Sequence, residues 1–214
     1  EHALANVTAQ NWPNKELLVI LHGPENFDLD HLTNLTSQLP YPTHIIGCHQ
    51  NEIFGDILNK GLDQATGTYI TKMDDDDHYG PHHLTDLTTA HTYSNADITG
   101  KLASIVHLTE FDLTVSRHIL DAERYHRHVA GPTLTARNST ISAHRFLRRR
   151  SRVDTTLLER VMAADGALFI THPYGFILER RDSGHTWDVD GYQHFLKNAV
   201  ETEDGIPALF LEGE

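Results

Sequence analysis

Apolar runs of strand length alternate with stretches of helical periodicity along most of this chain, and that alternation restricts it to an α/β architecture. "HALANVTAQNWPNKELLVILHG" predicts a short helix, a Pro-Asn turn and a strand. The run Leu17 to Leu21 is continuously apolar, as strands covered on both faces are. "LDHLTNLTSQL" sets leucines at 29, 32, 35 and 39, a helical stripe, ahead of the strand-like "THIIG". "GDILNKGLDQATG" predicts a helix with Ile57, Leu58, Leu62 and Ala65 on one face and Gly67 as its C-cap. "TYITKM", residues 68 to 73, is rich in β-branched and aromatic residues and predicts a strand. Pro81 is set as a first-turn proline for the helix "HHLTDLTTAHTY". "ADITGK" and "SIVHLT" then predict strands, "TTLLERVMAADG" a helix stopped by Gly166, and "ALFITHPYGFIL" one or two strands. The expected fold is one Rossmann-like α/β domain over residues 1–189, a mostly parallel sheet flanked by helices, with a peripheral helix and tail over 190–214.

A chain of 214 residues is long enough for one sizeable core. Its 39% hydrophobic and 22% charged residues suit a soluble globular protein. No apolar run is long enough for a membrane span, and no leader peptide is expected. Cys48 is the single cysteine, which excludes an internal disulfide and a cysteine-based zinc site and fits a cytoplasmic setting. The net charge of -13 argues against general nucleic-acid binding and is compatible with work through a divalent cation. The 17 histidines are scattered without metal-ligand spacing.

"KMDDDDHYGP", residues 72 to 81, sets four carboxylates in a row. Asp74 to Asp77 follow the strand expected at 68 to 73, and in open α/β sheets ligands bind beyond the carboxyl ends of strands. In an extended chain Asp74 and Asp76 point one way, Asp75 and Asp77 the other. Two carboxylates on one side suit a hard cation that also takes phosphate oxygens, Mg2+ or Mn2+. An EF-hand loop counted from Asp74 needs Gly and Glu where Tyr79 and Thr85 stand, so that reading fails. A solvated acidic turn stays open.

Three motifs in order carry a resemblance to the inverting glycosyltransferases of family 2, with the GT-A fold. "ALANVTAQNWPNKELLVILHG" is similar to the family's helix, aromatic-Pro-Asn turn and second strand. "GLDQATGTYITKMDDDDHYGPHHL" is similar to its "A-x-G-x-Y" strand, acidic motif and following "P-x-x-L". "RSRVDTTLLERVMAADG" resembles the acidic residue that opens a late helix. The resemblance implies that Asp74 and Asp76 hold the metal and diphosphate, or, with the motif shifted by one residue, that Asp75 instead touches the ribose, and that Asp154 is the catalytic base. In "RRDSGHTW" it implies Arg181 for the nucleotide and His185 for the metal. An oxygen-and-imidazole set favours Mn2+ somewhat over Mg2+. Two departures stand out. Leu21 and His22 occupy the places of the family's base-reading aspartates, and the family's first strand would precede Glu1, so an N-terminally incomplete domain is expected.

The implied function is transfer of a sugar from a nucleotide-sugar donor, UDP-linked, to a hydroxyl acceptor such as a glycan or cell-surface polymer. "HRFLRRRSR", 144 to 152, is the one basic cluster; it is set either to neutralise a diphosphate or an anionic polymer acceptor, or to lie solvated at a helix end. "GPTLTAR", 131 to 137, loosely resembles the family's acceptor-side segment. Two other readings stay open: an inactive domain acting as a binding module, and a nucleotidyltransferase or phosphohydrolase, which the absence of a P-loop disfavours.

Overall fold

Helix α1 (His2–Thr8) and strand β1 (Leu17–His22) form where the sequence predicts them. They belong to a computed structural model that describes residues 1–181 and 192–212. Helix α2 (Leu29–Ser37) starts at Asp28, whose carboxylate accepts the His31 N–H at 2.9 Å, an N-cap. Strand β2 (Thr43–Cys48) pairs with β1 in parallel, Leu17 opposite Thr43 through His22 opposite Cys48. Among the described residues β1 has no other strand neighbour, so Leu17 to Ile20 are half-buried rather than covered on both faces.

Helix α3 (Phe54–Gln64) packs on β1 and buries Ile57 and Leu62. Its approach is close at Gly61, where a Cβ would strike the Ile20 side chain. The helix ends at Ala65 in extended conformation, short of the cap expected at Gly67. The Glu16 carboxylate takes the amides of Thr66 and Gly67, each at 2.7 Å, and draws the chain out of the helix.

Then come β3 (Tyr69–Thr71), β4 (His78–Tyr79), α4 (His83–Ser94) and β5 (Ile98–Gly100). Pro81 stands just outside α4, ahead of its N-cap His82. Strands β6 (Ile105–Leu108), β7 (Leu113–Ser116), β8 (Arg124–His126) and β9 (Thr135–Arg137) lead to α5 (Asn138–His144) and α6 (Val153–Ala163). The chain closes with β10 (Leu168–Ile170), β11 (Phe176–Arg180), α7 (Gln193–Lys197), β12 (Glu201–Asp204) and α8 (Ala208–Glu212). The boundary expected at residue 189 lies outside the described residues. Beyond it, Phe195 of α7 and Phe210 of α8 are buried, and β12 adds a strand to β7.

One sheet runs β3-β9-β5-β10-β8 and another β12-β7-β6-β11-β4. The α/β architecture with flanking helices is as expected, but the pairing is mixed rather than mostly parallel. Strands β5 and β10 pair in parallel, as do β6 and β11, while β9 lies antiparallel to both β3 and β5. The reason is connection length: only residues 109–112 join β6 to β7, far too few for a crossover, so they form a hairpin. Because β9 opposes both neighbours, β3, β5 and β10 point the same way and share one carboxyl edge.

The largest core cluster lies between that sheet and helices α3, α5 and α6. Val153, Leu157, Leu158 and Val161 form a buried stripe along α6. Each such side chain contributes at most about 1.5–3 kcal/mol by its removal from water. This packing fixes the start of α6 against the sheet. Among the described residues no helix is long and apolar enough to cross a membrane.

Candidate active site

Strand β3 delivers Lys72, Met73 and Asp74 to the carboxyl edge of the sheet. The Lys72 amide donates to the Leu134 carbonyl at 3.0 Å, which ties this edge to the turn that precedes β9. That turn, Gly131–Thr133, lies against the first turn of α6. A Cβ at Gly131 would collide with the Asp154 carboxyl group, so the absent side chain is what makes room for it. Three segments far apart in sequence thereby meet at one point.

At that point the Lys72 ammonium sits 2.5 Å from Asp74 Oδ1 and 3.6 Å from Asp154 Oδ2. Its side chain is only 11% exposed. Burial alone would lower the pKa of Lys72, but Asp74 and Asp154 reverse the effect and hold it above its ordinary value. Asp154 goes up: burial dominates, and the pull of Lys72 offsets it only in part. Asp154 is not the N-cap of its helix. Arg152 holds that position, and no side chain caps it, because buried Val153 takes the first helical place. Asp154 Oδ1 is buried without a hydrogen-bond partner.

The carboxylates after Asp74 do not alternate as an extended strand would. The chain bends at 75–77, leaving Asp75 exposed, Asp76 half-buried and Asp77 buried. Asp77 Oδ1 accepts the Glu179 amide at 2.9 Å, and its other oxygen is buried without a partner. Burial, reinforced by Asp74 and Asp76, pushes Asp77 up to about 8, so it carries a proton at neutral pH. Helix α1 clamps the bend from outside. His2 Nε2 and Asn6 Nδ2 each donate to the Asp77 carbonyl at 2.8 Å, and Gln10 bonds the Gly80 carbonyl and the Leu84 amide. Tyr79 fastens the inner side: its hydroxyl accepts the Asp74 amide at 2.8 Å and donates to the Pro132 carbonyl at 3.2 Å.

Asp76 is raised by burial and by the like charges of Asp74 and Asp75, with Arg181 pulling the other way. The set therefore fits a hard cation: oxygen donors with negative charge in excess. Among the described residues no three His, Cys, Asp or Glu side chains converge as a complete metal cage, so water and substrate oxygens would complete the shell. His185 lies outside the described residues. His22 is exposed at the end of β1, with Nε2 3.0 Å from the Gln50 carbonyl.

The basic cluster is largely paired with acids nearby. Arg145 makes a bidentate pair with Asp63, Arg148 lies 3.4 Å from Asp56, and Arg152 lies 3.8 Å from Glu159. Arg148 and Arg150 line an open groove of about 470 Å³ with Glu52 and Asp56.

Of the residues that the sequence singles out, the structure brings Asp74 and Asp154 together at Lys72, which sequence reasoning passed over along with Tyr79 and Gly131. A lysine directly before an acidic run was the available signal for the first. Gly131 opens the stretch "GPTLTAR", and nothing local marked Tyr79.

The arrangement combines a carboxylate with a free, buried oxygen and a cation-ready acidic bend at a sheet's carboxyl edge. A family model described as Glycosyl transferase family 2 matches residues 1–157. Among solved structures, S. aureus TarS 1-349 superposes with a TM-score of 0.60 at 14% identity, covering 83% of this chain and 56% of that one. The same TarS fragment in complex with UDP-GlcNAc gives 0.59 at 15% identity, covering 87% and 56%. Its complex with UDP gives 0.58 at 14%, covering 84% and 56%. This chain spans just over half the length of those structures, and the likeness is one of fold. Comparison with curated proteins gives no match. On the family match over most of its length and on its GT-A-like fold, the chain belongs to glycosyl transferase family 2.

Proposed function

We propose that this domain transfers a sugar from a nucleotide-sugar donor, a UDP-sugar, to a hydroxyl acceptor with inversion at the anomeric carbon. The observation that carries the reading is the convergence of Asp74 and Asp154 on Lys72 at the carboxyl edge of β3, in a family 2 chain. TarS, of similar fold, was solved with UDP-GlcNAc and with UDP, which supports a UDP-linked donor here.

In this reading the Asp154 carboxylate takes the proton of the acceptor hydroxyl as that hydroxyl attacks. Its upward pKa shift brings it nearer to a working base than an exposed carboxylate is. Asp74 and Asp76 would hold Mn2+ or Mg2+, which would offset charge on the departing diphosphate. Asp75, exposed on the bend, is assigned to the ribose, Arg181 and His22 to the nucleotide, and His185 to the metal. Tyr79 and α1 keep the bend in shape. A single displacement inverts the configuration and needs no covalent sugar–enzyme intermediate. The acceptor is a glycan or cell-surface polymer, an anionic one if Arg148 and Arg150 engage it from their groove. The single buried Cys48 supports a cytoplasmic setting.

A non-catalytic binding module of the same fold is the competing reading. The half-buried β1, with only β2 beside it among the described residues, favours it. Calorimetric titration with UDP in the presence and absence of Mn2+ separates the two. The transferase reading expects Mn2+-dependent affinity that falls more than ~10-fold, about 1.4 kcal/mol, in Asp76→Asn. Affinity indifferent to the double change at Asp74 and Asp76 would remove the metal site from the account.

A further inference from the structure

The proposed chemistry uses Asp74 on the donor side and Asp154 on the acceptor side, yet one ammonium stands between them. Lys72 is held by its backbone at the Leu134 carbonyl and is nearly sealed from solvent, so its charge has few places to go. It is in hydrogen-bond contact with Asp74 at 2.5 Å, but at 3.6 Å from Asp154 it is only an ion-pair neighbour. A charge-assisted bond to Asp154 would need the ammonium to move by only about one ångström. The Asp154 carboxyl group occupies the space that a side chain at Gly131 would fill.

We propose that Lys72 is a positioning residue that stands on Asp74 in place of a cation, yields Asp74 when the donor side is loaded, and then bonds Asp154 in the orientation for acceptor attack. Donor loading and placement of the base are thereby coupled through one side chain. The coupling rests on the transferase reading. Its ionic half, competition between Lys72 and a cation for Asp74, does not.

Removing the ammonium must then have opposite effects on the two sides. Lys72→Met deletes a positive charge beside Asp74, so affinity for Mn2+ alone, and for UDP with Mn2+, should rise at least 3-fold by calorimetry. In the same protein kcat should fall at least 10-fold, with KM for the donor no higher than in the unaltered chain. Lys72→Arg keeps the charge and should restore cation affinity and part of the turnover. A merely structural lysine would lower affinity and turnover together. Weaker or unchanged Mn2+ affinity in Lys72→Met, or turnover within 3-fold of the unaltered chain, overturns the proposal. If Lys72→Met does not fold, Lys72→Gln, which keeps a donor without the charge, must give the same opposed changes. An unaltered chain that transfers no sugar from any nucleotide sugar defeats the transferase reading instead, and the Mn2+ titration alone then decides the role of Lys72.

Discussion

Two buried lysines sit on the same carboxyl edge of the β3-β9-β5-β10-β8 sheet, and they live under different electrostatic conditions. Lys101, after β5, has a fully buried side chain and donates to Asp86 Oδ2 at 3.2 Å, Thr171 Oγ1 at 3.3 Å and the His172 carbonyl at 3.1 Å. Asp86 is shared with His172 Nε2 at 3.1 Å. Burial lowers the pKa of Lys101, and Asp86 reverses it only in part. Asp86 is lowered because His172 and Lys101 outweigh its own burial. Here the ammonium bonds one carboxylate, Asp86, with Glu123 acting on it only from a distance, and neutral oxygens complete its bonds. Around Lys72 the account does not balance: Asp74 and Asp154 face one ammonium, and Asp76 already feels Asp74 and Asp75. A balanced cluster holds the fold together, whereas one with excess negative charge is prepared for a positive ligand.

The comparison breaks most visibly if Lys101 proves functional. Lys101→Met leaves Asp86 in a partly buried place without its ammonium and should cost about 3 kcal/mol in urea unfolding. Mn2+–UDP affinity of the folded protein should stay at the wild-type level. Lost affinity with stability intact would reverse the roles of the two clusters.

Gly131→Ala sharpens the other side. Its Cβ must displace the Asp154 carboxyl group, costing about 1–3 kcal/mol of stability by overpacking. Turnover should fall about 10-fold, about 1.4 kcal/mol in the barrier, while UDP affinity holds. Unchanged turnover would detach Gly131 from the base.

The smallest effect concerns the buried end of the acidic run. Asp77 has a folded pKa of about 8, above its ordinary value of about 3.9. Its contribution to stability is therefore complete below about pH 4 and is lost as pH rises through about 8. Asp77→Asn should remove that loss, about 1 kcal/mol between pH 7 and 8. Denaturation midpoints at the two pH values measure it, and parallel losses in both proteins would contradict the shift.

Much of the fold was legible because it is local. The strand at 69–71 and helix α4 lie close together in sequence, and β-branched composition marked the first and Pro81 the approach to the second. The site was legible only as parts. Its convergence depends on β9 entering antiparallel between β3 and β5, which sets Leu134 against Lys72, and no short-range pattern encodes that pairing. The alternation expected of Asp74 to Asp77 failed for a related reason: α1, some 70 residues away in sequence, grips the Asp77 carbonyl and helps hold the bend. Helix α6 begins ahead of the stretch "TTLLERVMAADG", at Val153 with Arg152 as its N-cap, so Asp154 lies within its first turn.

The most direct test pairs Asp154→Asn with Asp86→Asn in one sugar-transfer assay on the complete protein, with UDP-sugar, Mn2+ and a hydroxyl acceptor, alongside thermal melts. Asp154→Asn keeps the shape but cannot take the acceptor proton, so transfer should fall ~10²-fold or more with UDP affinity nearly unchanged. Asp86→Asn should melt earlier and transfer sugar at close to the normal rate per folded molecule. Near-normal transfer by Asp154→Asn, with transfer abolished in a well-folded Asp86→Asn, would contradict the assignment of function to the cluster around Lys72.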